Sequence, residues 1–448
     1  MNPRPEKAAD HATSRRCFLK TSAVAMAAGT LPGGLSLARA AHPAGDETIK
    51  VALVGCGNRG TGAASQALNT KGPVKLVAMA DLFQSRIDNS LKLLGRHEAI
   101  KDRIDVPKER QFLGFDAYQK AIDCGVDLVL LVTQPAFRPQ QYAAAVQAGK
   151  HVFMEKPLCV DAPGYRGIMK TNEEAKKKGL AVGVGLMRRH TAKYIEGVRR
   201  IHDGQLGDLH FVRMYFNMPG YFDDRPRPDD VTEMVWQIRN WGSYCWLSGD
   251  LIVEQDCHII DIANWVLGGH PVRANGMGGR QLRTGRGNGD IFDHHTVEFE
   301  YPNGPRNFFQ GRQIVGTWIH TSENVHGSKG VATLGTGPYG LGLGHQGGAP
   351  ERRIDRKNNP YQQEHDDLFD AIRTGKPYFE ADYGANSSMT GILGRMATYS
   401  GKVITWDEAI QNERSLFPEK LALDADPPAM PNEDGYYPTP MPGVTKPF

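Results

Sequence analysis

The chain has 448 residues, of which 40% are hydrophobic, 23% charged and 8% aromatic, with 51 glycines and 28 prolines. A single core stops growing near roughly 250–300 residues, so two are expected, and the composition excludes a fibre, a disordered tail protein or a polytopic membrane protein. The formal charge of +3, from 53 Lys and Arg against 50 Asp and Glu, is not spread evenly along the chain.

Residues 14–20 read S-R-R-C-F-L-K, with the arginine pair Arg15-Arg16 ahead of Phe18-Leu19 and Lys20. An Ala- and Gly-rich apolar stretch follows and ends in Ala38-Arg39-Ala40, a small-x-small cleavage pattern. Residues 1–40 therefore resemble a bacterial twin-arginine signal peptide. The alternative, an amphipathic first helix, meets Pro32-Gly33-Gly34, which would break it. The apolar run is short of the roughly 20 residues of a membrane span, so no stable anchor is expected. The expectation is export to the periplasm, with the twin-arginine machinery as a partner. Removing residues 1–40 takes away six basic and two acidic groups and leaves 47 against 48, a net charge of −1. That balance, without an aromatic-interleaved basic stripe, argues against nucleic acid as a partner. Beyond Cys17, five cysteines remain (Cys56, Cys124, Cys159, Cys245 and Cys257) at irregular spacings, with no C-x-x-C pair and no disulfide framework. A twin-arginine substrate folds before export, in a reducing compartment, so free and mostly buried thiols are consistent with the leader.

From Thr48 the chain reads T-I-K-V-A-L-V-G-C-G-N-R-G-T-G. Ile49, Val51, Ala52, Leu53 and Val54 predict a strand buried in a parallel sheet. Gly55, Gly57 and Gly60 follow as G-x-G-x-x-G, giving a tight turn, backbone access to a pyrophosphate and close helix packing. Phosphate would then sit on the helix that begins near Arg59, beside Asn58. A second apolar strand over residues 74–80 ends in Asp81, placed to accept hydrogen bonds from the adenosine ribose. NAD is favoured over NADP, although Arg86 nearby leaves a 2′-phosphate open. Alternation continues: a helix over 115–124, a strand over 126–132, a helix over 139–148 and a strand over 151–154 predict a doubly wound parallel sheet. Thr133-Gln134-Pro135 and Glu155-Lys156-Pro157 fall at carboxyl ends of strands, where cofactors bind.

A-G-K-H-V-F-M-E-K-P at 148–157, V-G-L-M-R-R-H at 184–190, G-Q-L-G-D-L at 204–209 and S-G-D-L-I-V-E-Q-D-C-H-I-I-D at 248–261 complete a pattern. Together with the glycine fingerprint it resembles the Gfo/Idh/MocA oxidoreductase family, whose members include glucose-fructose oxidoreductase. The resemblance covers nearly all of residues 48 to about 410. It implies an α/β protein, with an NAD(P)-binding Rossmann domain over 48–172 and an α+β domain over 173–422. The second domain would carry a large, open, mostly antiparallel sheet that supports a homodimer or homotetramer. It implies hydride transfer between a sugar-like hydroxyl carbon and nicotinamide. Lys156, the lysine of E-K-P, would contact substrate hydroxyl and cofactor, and His258 would be the general base. Glu254 stands where many members have Asp. Four residues before His258 on one helix, it would orient the imidazole.

Arg138 falls where the family often has His. Arg189, in the Arg188-Arg189-His190 segment, is either an anchor for a polar substrate group or an ion-pair residue. Trp236, Arg239, Asn240, Trp241, Tyr244, Trp246 and Trp265 form either a sugar platform or an aromatic core beneath the sheet. Asp293-His294-His295 fits the start of a strand better than a metal site, and no metal is expected. Helices are predicted over 363–374 and 386–400, with His365 reaching toward the site from the first. Residues 423–448, rich in proline, predict an extended arm lying over a neighbouring surface or subunit. The functional expectation is an exported oxidoreductase with tightly bound NAD, because the periplasm holds little free cofactor. An NAD-dependent glycosidase acting by transient C3 oxidation and elimination, on a glycoside substrate, is the alternative. A non-catalytic sugar-binding protein on the same fold is the third.

Overall fold

The computed structural model describes residues 47–220, 227–335, 341–343 and 358–447. The leader expected over residues 1–40 lies outside them. The first layer alternates strand and helix: β1 (Ile49–Val54), α1 (Asn58–Leu68), β2 (Val74–Asp81), α2 (Gln84–Leu94), β3 (Gln111–Leu113), α3 (Ala117–Ile122), β4 (Leu128–Leu131), α4 (Arg138–Gln147), β5 (His151–Met154), α5 (Ala162–Lys177) and β6 (Val182–Val184). These strands form one parallel sheet in the order β3-β2-β1-β4-β5-β6. The order reverses between β1 and β4, the switch point where such sheets bind dinucleotides. Strands β4 and β5 are buried at every position, as helices on both faces require. β6 lies beyond residue 172, where the sequence places the second domain's start; three residues are too few to stand out as a periodic run.

The second layer begins with α6 (Ala192–His202) and β7 (Leu209–Met218), then α7 (Glu233–Arg239), α8 (Cys245–Ser248), α9 (Leu251–Glu254) and α10 (Cys257–Leu267). Six strands follow: β8 (Arg273–Gly279), β9 (His294–Glu300), β10 (Arg306–Gln313), β11 (His320–Gly327), β12 (Gly330–Leu334) and β13 (Leu341–Leu343). Helices α11 (Pro360–Thr374) and α12 (Ala381–Ser400), strand β14 (Ile404–Thr405) and helix α13 (Trp406–Gln411) complete the elements. The eight-stranded sheet runs β13-β12-β11-β7-β10-β9-β8-β14 and is antiparallel except for the β7–β10 pair.

Helix α12 is buried along nearly its whole length. Gly391 and Gly394 lie where a Cβ would meet Ile252 O at 3.1 Å and Phe299 at 2.8 Å, so small residues let α12 nest between α9 and the sheet. Helix α11 returns to the first layer, where Leu368, Phe369 and Ile372 join the core of β1, β2 and β4. The proline-rich segment beyond α13 has no helix or strand and runs over its own chain. Asp293 precedes β9, and His295 turns inward to Asp250 at 3.1 Å. Among the described residues no helix is long and apolar enough to cross a membrane.

Candidate active site

The turn after β1 is shaped by its glycines. Gly55 has φ +94°, and a Cβ there would lie 2.6 Å from the Val132 carbonyl carbon. A Cβ on Gly60 would lie 1.9 Å from Gly55 O, so only glycine lets α1 start this close to β1. At Gly57 nothing stands within 4 Å of the missing Cβ. That open space, at the start of α1, is the cradle a pyrophosphate requires. Asp81 completes the fit. Its Oδ2 accepts from the Cys56 amide at 2.7 Å and its Oδ1 from the Phe83 amide at 3.0 Å. Burial pushes its pKa up, and the two amide bonds oppose that shift. Around these residues lies a cleft of about 350 Å³, also lined by Asn58, Arg59, Thr133 and Gln134. Pro135 is buried behind that lining, at the turn into α4.

Arg59 faces back into the protein. It pairs with Glu155 and, at 3.0 Å, with Glu364, and donates to Gln66 at 2.8 Å. Glu155, just past β5, thereby ties the glycine turn to the E-K-P segment. Arg138 is 1% exposed and donates to the carbonyls of Thr133 and Pro157, so it braces the ends of β4 and β5 against each other. Burial lowers its pKa to about 10, with Glu155 opposing.

Lys156 reaches out of the first layer to α9. Its Nζ donates to Glu254 O at 2.8 Å and to Glu254 Oε1 at 3.0 Å. Burial would depress the ammonium's pKa; Glu254 foremost outweighs it, and the pKa is raised. His258 has the opposite environment. Burial, then the positive charges of Lys156, Arg188 and Arg59, push its pKa well down, so the imidazole is neutral. Its Nδ1 is buried without a hydrogen-bond partner among the described residues.

The expected Glu254–His258 pair is not formed. The helix breaks at Gln255 and Asp256, so α9 ends at Glu254 and α10 starts at Cys257, and the four-residue register that would align the two side chains is lost. The carboxylate goes to the Lys156 ammonium and to Gln255 Nε2 instead. Glu254 O, which an unbroken helix would give to the His258 amide, accepts from Lys156.

Other candidates are placed elsewhere. Arg189 is held bidentately by Asp261 at 2.8 and 2.9 Å, between the rings of Tyr383 and Trp265 at 3.9 and 4.9 Å, which commits its guanidinium to a structural pair. Arg188, its neighbour, pairs with Glu323, and its charge, like that of Arg59, reaches His258. His190 bridges Asp367 at 2.8 Å and Glu380 at 3.2 Å. Burial opposes its protonation, yet these carboxylates push its pKa up to about 10. Trp236, Tyr244 and Trp246 are core residues, with Tyr244 edge-on to Tyr437 at 5.1 Å, so the aromatic cluster is largely a core and not a platform. Asn240 caps α7 by donating to Trp236 O at 3.0 Å. His365 is fully buried against Phe153, with ring centroids 4.1 Å apart, and does not reach the site. Arg239 and Trp241 line the dinucleotide cleft. The five described cysteines are free, four of them buried. Among the described residues no three His, Cys, Asp or Glu converge as metal ligands.

Sequence reasoning missed the Arg59–Glu155–Glu364 chain and the Arg188 charge. The arginine of the glycine turn and its Glu364 partner are 305 positions apart, so no local spacing reveals the pair.

A parallel 3-2-1-4-5-6 sheet with a glycine cradle after β1 and an aspartate at the end of β2 defines a dinucleotide-binding fold. Residues 49–186 match the oxidoreductase family with NAD-binding Rossmann fold, GFO_IDH_MocA, and residues 196–333 match the GFO/IDH/MocA C-terminal domain. The chain belongs to this family. It is 25% identical to scyllo-inositol 2-dehydrogenase (NAD(+)) of Bacillus subtilis over 52% of this chain and 58% of that one. It is 27% identical to glycosyl hydrolase family 109 protein 1 of Bacteroides thetaiotaomicron over 29% and 27% of the two chains. The fold is similar to scyllo-inositol dehydrogenase from Lactobacillus casei with bound NAD(H) and scyllo-inositol, at TM-score 0.60 and 18% identity, over 81% of this chain and all of that one.

Proposed function

We propose that the protein is an NAD-dependent oxidoreductase that moves hydride between the cofactor and a hydroxyl-bearing carbon of a polyol or sugar. The observation that carries this reading is geometric: beside a dinucleotide cleft, Lys156 at the end of β5 is held by Glu254 at 3.0 Å, and on the next helix the buried Nδ1 of His258 has no partner among the described residues. The nicotinamide, when bound, supplies the hydride acceptor. Lys156, kept protonated by Glu254, donates a hydrogen bond to the reacting oxygen and stabilises the charge that develops there as its proton leaves. His258, kept neutral by burial and by surrounding positive charge, takes that proton as general base. Arg59 and Glu155 hold the glycine turn and the E-K-P segment in register. The inositol dehydrogenase relatives support a polyol or sugar substrate. The test is NADH formation by the purified protein with a panel of inositols and aldoses. Absence of turnover with every member of the panel, with NAD bound, would refute the reading.

The family 109 relative supports a second reading, redox-neutral cleavage of a glycoside through transient oxidation. Release of p-nitrophenol from p-nitrophenyl glycosides without net NADH would select it. Export through the twin-arginine route rests on residues 14–40, and Arg15→Lys with Arg16→Lys should leave the protein in the cytoplasm; unchanged periplasmic recovery would refute it. An exported enzyme must retain its cofactor, so the purified protein should still contain NAD(H) after dialysis. Trp318 and Ile319, each 59% exposed beside the open sheet, support a homodimer or homotetramer, which light scattering would detect.

A further inference from the structure

The cleft that fits NAD is lined by two domains. Ile238, Arg239 and Trp241 of the second domain stand opposite Asp81 and Phe83 of the first. Arg239 is exposed at the mouth, with its guanidinium carbon 5.0 Å from the centre of the Phe83 ring. Phe83 lies two residues past Asp81, so this is where the adenosine half of a dinucleotide lies in such a sheet. Gln134 Nε2, from the turn after β4, donates to Ile238 O at 3.4 Å and joins the same segment to the other half of the cleft. Neither Lys156 nor His258 lines this cleft, so Arg239 stands apart from the residues that would hold the reacting sugar carbon.

The back of α7 is fastened by the C-terminal arm. Thr232 Oγ1 donates to Leu423 O, Gln237 Nε2 to Ala429 O, and Tyr437 OH to Glu233. Leu416, Phe417, Leu421, Ala425 and Ala429 pack on the cluster of Trp236, Tyr244 and Trp246, and Phe83 and Phe115 of the first domain pack on the same cluster. Phe417 meets Phe137 edge-on at 5.6 Å, and the Leu416 amide donates to Asp161 at 2.7 Å, so the segment that leads into the arm is fastened to the first domain.

We propose that α7 and the C-terminal arm form a clamp over the adenosine end of the dinucleotide, with Arg239 as the residue that contacts it. A guanidinium over an aromatic ring, beside Asp81, is suited to stack on adenine and to pair with the adjoining ribose and phosphate oxygens. The arm fixes where Arg239 stands, since it holds the helix that ends on that residue. The clamp gives a cofactor that leaves slowly. The proposal deepens the assignment of NAD and rests on it.

Fragments of the cofactor separate the two ends. Arg239→Ala should weaken ADP-ribose binding about tenfold in calorimetry, the scale of one cation–π or charge-assisted contact, while nicotinamide mononucleotide binds as before. NADH should also dissociate faster in stopped-flow fluorescence. The arm is tested by the double variant Thr232→Ala with Tyr437→Phe, which should show the same selective loss of ADP-ribose affinity at unchanged nicotinamide mononucleotide affinity. An unchanged ADP-ribose affinity in Arg239→Ala, or a raised KM for the sugar at saturating NAD in its place, would overturn the proposal. An unchanged double variant would overturn the arm's part in it. Failure of the unaltered protein to bind ADP-ribose would overturn the assignment of NAD together with the clamp.

Discussion

Glu254→Gln separates two roles for one carboxylate. The Lys156 ammonium and Glu254 Oε1 are 3.0 Å apart, with side chains 11% and 8% exposed. At an effective dielectric of about 20, two unit charges at that distance attract by ~5 kcal/mol, and deleting one partner of a buried pair costs ~3–5 kcal/mol. Glutamine keeps a hydrogen-bond acceptor, and Glu254 O still accepts from Nζ at 2.8 Å, so the lower part of that range applies. Burial, no longer outweighed, then depresses the lysine. The loss of ~3 kcal/mol should move the alkaline limb of the kcat/KM profile down by about two pH units. The sign follows from the role: Lys156 acts as the ammonium, so activity is lost as pH rises through its pKa. The acidic limb, set by protonation of the neutral His258, should stay where it is. The assay is the initial rate of NADH formation at saturating NAD as the pH is raised from 5 to 12, where the variant should lose activity well before the parent. If the acidic limb moved and the alkaline limb did not, Glu254 would be acting on His258, and the pairing with Lys156 would not govern catalysis.

Three further outcomes are expected. Gly57→Ala should fold with an unchanged melting temperature, because its Cβ enters open space, yet bind NADH at least about tenfold more weakly by crowding the pyrophosphate; fluorescence titration beside a thermal melt checks both. His190→Asn should lower stability at pH 6 by up to about 5 kcal/mol, read from urea denaturation. The folded pKa of about 10 lies above the unfolded value near 6.5, so this stabilisation is complete below about pH 6.5 and is lost as pH rises toward 10; the variant and the parent should converge there. Arg138→Ala should cost about 2–4 kcal/mol, since the carbonyls of Thr133 and Pro157 lose a buried donor; denaturant midpoints measure it.

The first domain was legible because its signals are local. An apolar run such as 51–54, the glycine spacing at 55–60 and an aspartate ending the next strand each act within a few residues, and backbone sterics convert them directly into strand, turn and helix. Lys156 and His258 were legible only through the family's motifs, since one strand-end lysine or helix histidine resembles many others. Helix boundaries in the second domain were harder to read. Glu254 and His258 read as neighbours on one helix, and the break at Gln255 and Asp256 between them has no proline or glycine to announce it.

Partner choice was a different matter, because a side chain's partner is set by which distant segment packs beside it. Spacing assigned Glu254 to the histidine four residues on; the fold gave it to a lysine 98 positions away. For Arg189 the sequence left an anchor and an ion pair open, and Asp261 with two rings supplies the ion pair; Arg239, a candidate for a sugar platform, lines the dinucleotide cleft. The sequence by itself determined the sheet, the glycine turn and the identity of the charged groups, since these follow from short-range sterics and hydrophobicity. Only the tertiary structure decided which charges neutralise each other, because electrostatic energy depends on separation and burial in space and not along the chain.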